Sequence, residues 1–191
     1  MFATDIRRMW RKAPLIKPGS PGWNYLERTR RLPAFSISNA TYGGGLREGG
    51  DGTIWAMHQG MAGQITGWEM RGPRCEGFST DAGKSLFRVG EHIDTTRVAV
   101  TESVIDALSL ASIEGWQVGT LYASTGGGCT PTTSGALQVL LSEQVQLVGA
   151  SDQAAGGELL ACRLQELATE CGAEFVRLRP DARSWNRQLA A

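Results

Sequence analysis

VAVTESVIDALSLASIEG, residues 98–115, decides the fold. Val98 to Thr101 form a short apolar run typical of a buried strand, and Val104, Ile105, Leu108 and Ala111 then recur at helical spacing until Gly115. The pattern repeats downstream. Residues 118–123 read as a strand, and residues 130–143 as a helix opening with Thr130 before Pro131. Residues 145–151 (VQLVGAS) read as a strand, residues 157–171 as a helix closed by Gly172, and residues 174–180 (EFVRLRP) as a last strand. Strand alternating with helix implies an α/β fold with a parallel sheet flanked by helices.

Upstream the pattern changes. TIWAMHQG, GQITGWEM and SLFRVG, between residues 53 and 90, read as short strands divided by glycine turns, which predicts a small antiparallel sheet. Residues 1–50 are broken by Pro14, Pro18, Pro21 and neighbouring glycines, with one short helix expected near residues 23–31, before Pro33. They read as an arm more than a core. The expected organisation is thus a basic arm (residues 1–52), a β-rich subdomain (53–92) and an α/β domain (93–191).

Charge is distributed unevenly in this 191-residue chain. The formal total is zero, but residues 1–50 carry nine basic and three acidic side chains, whereas residues 91–191 carry six basic and twelve acidic. A cationic front with Trp10, Trp23, Tyr25 and Tyr42 interleaved suits a phosphate backbone; it equally suits docking on the chain's own acidic half.

Several classes are disfavoured. No apolar run reaches the roughly 20 residues of a bilayer crossing, and MFATDIRRMWRK has no apolar segment behind its basic residues, so a cytoplasmic protein without membrane attachment is expected. Cys75, Cys129, Cys162 and Cys171 form no C-x₂-C pair for zinc. His58 and His92 adjoin no nucleophile motif, and neither G-x-S-x-G nor a Walker A sequence occurs.

In an open parallel sheet, ligands bind beyond the carboxyl ends of the strands. There the sequence places Glu102 with Asp106 one helical turn on, then Gly126-Gly127-Gly128, then Asp152, then Arg183, Ser184 and Asn186. Converging carboxylates suit Mg²⁺, although acids at a helix start are also simple caps. The glycine triplet could present N–H groups to an anion or be only a turn. Lys84 could touch a phosphate or lie on a solvated strand face, and Trp185 reads as packing more than as a base-stacking ring.

VTESVIDALSLAS, LYASTGGG, VGASDQAAGGELLACRLQEL and RLRPDARSWNRQL, in this order, resemble the Toprim domain of plasmid and phage primase-like proteins. GQITGWEMRGPRCEGFSTDAGKSLFRVG is similar to the small domain of unknown function that precedes Toprim there, and the two together span about residues 54–189. The resemblance implies a Toprim-like (Rossmann-like) sheet and Mg²⁺- or Mn²⁺-dependent phosphotransfer or phosphodiester chemistry on DNA or RNA, in plasmid or phage replication. A replication helicase or relaxase is the implied partner. Glu102 matches the family's glutamate acid/base, and Asp106 and Asp152 match metal-binding acids. The second aspartate of D-x-D-x-x-G is Ala154 here, in a register set by Gly157, Ala161 and Leu164. The closing motif, Lys-Asp-Trp-Asn-Asp in relatives, is Arg183-Ser184-Trp185-Asn186-Arg187, so both of its acids are gone and Arg183 and Arg187 could receive a phosphate. Three readings follow. One is a metal-dependent primase-like enzyme; another is a degenerate Toprim module binding nucleic acid or a partner without chemistry. The third is a small-molecule phosphate binder using the glycine triplet.

Overall fold

The structure, a computed structural model, describes residues 3–79 and 84–191. In chain order its elements are α1 (Ala3–Lys12), α2 (Pro21–Asn24) running into a π-helical turn Tyr25–Thr29, α3 (Ala34–Tyr42), β1 (Leu46–Glu48), β2 (Ile54–Gln59), β3 (Ile65–Arg71), β4 (Glu76–Phe78) and β5 (Leu86–Gly90). There follow β6 (Arg97–Thr101), α4 (Val104–Ile113), β7 (Thr120–Ser124), α5 (Pro131–Gln138), β8 (Gln146–Gly149), α6 (Ala155–Cys171), β9 (Glu174–Arg177) and α7 (Trp185–Leu189).

The strands form one sheet in the order β4-β3-β2-β5-β7-β6-β8-β9, with β1 paired to β2. β7, β6, β8 and β9 are mutually parallel, as the alternation predicts. The upstream strands are antiparallel but not a separate sheet: β5 pairs with β7 from Phe87↔Ser124 to Gly90↔Leu121 and fuses the two.

Alternation along each strand divides the core into two layers. Val98, Val100, Leu121, Ala123 and Leu147 face α5 and α6, where Leu137, Leu160, Leu164 and Leu167 cover them. Ala99, Tyr122 and Val148 face the other way, onto α4 and Trp185. Every residue of β7 is buried, as expected of a central strand covered on both sides.

Residues 3–50 differ from the irregular arm expected of them. They are largely helical, and Ile16, Trp23, Leu26, Leu32, Ile37 and Leu46 lie in the same core as α4. The helix expected near residues 23–31 is present as α2 and the π-helical turn; Pro21, read as a breaker, lies in the first turn of α2 capped by Ser20, and Pro33, beyond that helix, sits at the N-cap of α3. Ile6 and Trp10, one turn apart on α1, pack against β3, where Trp68 stacks on Trp55 at 4.6 Å and approaches Trp10 at 6.1 Å. Among the described residues no helix is long and apolar enough to cross a membrane.

Two glycines at the start of α6 have opposite surroundings. A Cβ on Gly157 would stand 2.1 Å from the Asp152 carbonyl oxygen, whereas one on Gly156 meets only Glu102 Oε1 at 3.6 Å. Replacing a helical glycine by alanine normally gains about 0.5–1 kcal/mol. Gly157→Ala should instead destabilise by roughly 2 kcal/mol or more, because the obstacle is backbone, while Gly156→Ala should be neutral or stabilising by about 0.5 kcal/mol. Urea denaturation of both variants checks this.

Candidate functional site

Because β7, β6 and β8 are parallel neighbours, the residues that follow them meet at one rim. Glu102 joins the three. Its Oε2 accepts the Asp152 N–H at 3.2 Å, and its carbonyl accepts the Gly127 N–H at 2.9 Å. Fifty positions of sequence separate Glu102 from Asp152, yet a single side chain bridges them.

Asp106 stands one turn into α4 beside them. Ser103 Oγ donates to its Oδ2 at 2.5 Å, and the Asn186 N–H donates to its Oδ1 at 3.2 Å. Burial, and then the charges of Asp106 and Glu102, push the Asp152 carboxyl from the usual 3.8 up to about 6, against the opposing pull of Arg177 and Arg183. Arg177 is otherwise structural. Its guanidinium donates to the carbonyls of Gly149, Ser151, Asp152 and Leu178 and pairs with Glu158, fixing the loop that carries Asp152. The Trp185 indole N–H donates to the Ala150 carbonyl at 2.7 Å in the core, so this ring packs the closing loop onto β8.

Gly126, Gly127 and Gly128 all have left-handed backbones, with φ of 66°, 89° and 105°. Two of their N–H groups turn inward: Gly126 donates to Ser124 Oγ, and Gly127 to Glu102. The charge that a ligand meets beside this loop is Lys84, whose ammonium lies 3.9 Å from where a Cβ on Gly127 would stand. Gly83, expected to keep Lys84 accessible, lies outside the described residues. Arg183 acts on Asp152, and Arg187 lines a cavity with Asp106.

The donor set does not fit a preformed Mg²⁺ site. Both Asp106 oxygens and one Glu102 oxygen already accept hydrogen bonds, and Ala154 offers no ligand atom. Among the described residues no group of three or more His, Cys, Asp or Glu is placed to hold a metal ion.

One buried contact beside the rim has no counterpart in the sequence reading. Glu69 of β3 is 1% exposed, yet it is paired with Arg71 Nε at 2.6 Å and accepts the Val104 N–H of α4 at 3.2 Å. His58, fully buried, stands 3.8 Å from the same carboxylate and edge-on to Phe78. A Cβ on Gly126 would meet the His58 ring at 2.9 Å, so the glycine permits this approach. The upstream strands therefore hold both the start of α4 and the loop after β7. Only the charge at position 69, between Trp68 and Met70, hints at this in the sequence.

An upstream helical and antiparallel part, joined to a parallel sheet with acids at its carboxyl rim, defines a Toprim-type fold. Residues 99–189 match the Toprim-like family, and residues 24–94 match the family described as protein of unknown function (DUF3991). The chain is a DUF3991–Toprim-like protein, as the motifs implied. No curated protein sequence matches it. Among solved structures, the DnaG primase catalytic domain bound to ssDNA superposes with a TM-score of 0.62 over 98% of this chain and 76% of that one, at 15% identity. The primase fragment of the bacteriophage T7 primase-helicase gives 0.56 over 95% and 79%, at 20% identity. The RNA polymerase domain of Mycobacterium tuberculosis primase DnaG gives 0.58 over 98% and 79%, at 13% identity. These likenesses establish a shared primase-core fold that includes the N-terminal helices.

Two outcomes follow. Glu69→Ala leaves Arg71 and the Val104 N–H without their buried acceptor and should cost roughly 3 kcal/mol in denaturant unfolding. Asp152 binds its proton more tightly folded than unfolded, so the stability it contributes is present below about pH 4 and is lost as pH rises through about 6. Asp152→Asn should remove that slope and exceed the parent by on the order of 1 kcal/mol at pH 7, after allowance for solvent screening, in melts recorded from pH 3.5 to 7.5.

Proposed function

We propose that this protein is a nucleic-acid-binding, primase-like Toprim module whose rim receives phosphate groups through basic side chains and carries out no metal-dependent chemistry. One observation carries the reading: both oxygens of Asp106 are taken up by Ser103 and Asn186, while Arg187 occupies the adjoining space. Lys84 beside Gly127 and Arg183 near Asp152 supply further positive charge at the rim. The exposed Arg7, Arg8, Arg11 and Lys12 of α1, on the face away from Ile6 and Trp10, extend the contact along a strand. Such a module belongs with a replication helicase or relaxase of a plasmid or phage, which supplies the chemistry.

A second reading, metal-assisted phosphotransfer or phosphodiester chemistry, is favoured by the gathering of Glu102, Asp106 and Asp152 at one rim, which lifts the proton affinity of Asp152. Calorimetric titration with Mg²⁺ and Mn²⁺, together with primer-synthesis and cleavage assays on single-stranded DNA and RNA, separates the two. The expected result is oligonucleotide binding that weakens about tenfold or more between low and physiological salt, with Glu102→Gln changing affinity less than about twofold. Metal-dependent turnover that disappears in Glu102→Gln would establish the second reading instead.

A further inference from the structure

His58 is fully buried, and neither of its ring nitrogens meets a hydrogen-bond partner among the described residues. An imidazole always carries at least one N–H, so burying it without an acceptor costs free energy. The backbone leaves the residue little freedom to move away. At His58, β2 pairs with Gly67 of β3 on one side and Phe87 of β5 on the other, and the ring stands edge-on to Phe78.

One acceptor lies just out of reach. Nε2 is 3.8 Å from Glu69 Oε2, about 1 Å beyond a charge-assisted hydrogen bond. That carboxylate is itself anchored: Arg71 Nε donates to its Oε1, and the Val104 N–H donates to its Oε2. A carboxylate oxygen has two lone pairs, so Oε2 keeps a place for the ring. Gly126 lies across the gap, because a Cβ there would stand 3.2 Å from Nε2 and 3.7 Å from Oε2. The ring, the carboxylate, the start of α4 and the loop after β7 thus meet at one point.

The charges around the ring determine what a proton would do there. β3 brings Glu69 and Arg71, and β4 brings Glu76, which pairs with Arg71. Lys84, ahead of β5, holds its ammonium over the Phe78 ring and beside Gly127. α4 brings its N-terminal N–H groups and Asp106, which is already bound by Ser103 and Asn186. Arg71 and Lys84 oppose a further positive charge, while Glu69 is the one carboxylate among the described residues within 4.0 Å of a ring nitrogen.

We infer that His58 is a proton-operated link between the upstream strands and the rim. With the ring neutral, the gap to Glu69 stands open, as in this structure. On protonation both nitrogens become donors, and Nε2 closes on Oε2 beneath Gly126. Closure moves the carboxylate that holds Val104 and the ring that abuts Gly126, and so reaches the loop whose Gly127 N–H binds the Glu102 carbonyl. The link is independent of what the rim binds.

The chain has two histidines, so imidazole NMR on His92→Gln reads His58 alone. Between about pH 5 and 8, the Val104 and Gly126 amide resonances are expected to shift in step with the His58 ring, with one common midpoint. Asp152→Asn, which removes a carboxyl titrating at about pH 6 nearby, should leave that correlation in place. His58→Gln should abolish the shifts at both amides. Glu69→Gln, which keeps an acceptor for Val104, should uncouple them from the ring; either variant decides the matter should the other fail to fold. A ring that does not titrate over this range, or that titrates while both amides stay still, would overturn the link. So would amide shifts that persist unchanged in His58→Gln or Glu69→Gln.

Discussion

The antiparallel ladder between β5 and β7 is the constraint on which the other features depend. Without it the chain would hold two sheets with independent orientations; with it, the upstream strands continue the plane of the Toprim sheet. That continuity brings β2 and β3 alongside the loop after β7 and allows His58 and Glu69 to reach across to Gly126 and Val104. A buried carboxylate is tolerable only with nearby donors, and here they come from both parts, Arg71 from one and the α4 backbone from the other. The interface is thus specified by an electrostatic requirement as well as by apolar area.

The parallel half was legible because its signals are local. Four apolar runs, helical spacing at Val104, Ile105, Leu108 and Ala111, and the caps Thr130-Pro131 and Gly172 each act within a few residues. The meeting of Glu102 and Asp152 followed from strand parallelism alone, since the carboxyl ends of adjacent parallel strands lie on the same side. Of the N-terminal helices, the one expected near residues 23–31 is present as Pro21–Thr29, whereas α1 and α3 were illegible for a complementary reason. Pro21 and Pro33 end one conformation and begin another, and single residues cannot say which, while the apolar face of α1 rests on only two described side chains, Ile6 and Trp10. The fusion through β5 and the arrangement around Glu69 both depend on contacts between residues far apart in the chain. Composition and spacing do not encode them.

The rim itself is a contest between like charges and local donors. Burial and the charges of Asp106 and Glu102 disfavour ionisation of Asp152, against the pull of Arg177 and Arg183, while backbone N–H groups and the Ser103 hydroxyl donate to Glu102 and Asp106. Each hydrogen bond accepted by Asp106 or Glu102 uses a lone pair that a hard cation could otherwise coordinate. Both Asp106 oxygens and one Glu102 oxygen are engaged in this way, while the Asp152 side chain, raised in proton affinity, accepts no hydrogen bond from the described residues. Arg177, Arg183 and Arg187 set positive charge beside these acids.

The tryptophan stack beneath α1 has an optical consequence. Trp55 and Trp68 stack with nearly parallel planes, and Trp10 is tilted against Trp68 from the helix. Indoles this close couple their electronic transitions, so near-ultraviolet circular dichroism and emission from this group would register whether the helix is seated. The molecule carries its own spectroscopic gauge of how its cationic N-terminal segment is positioned.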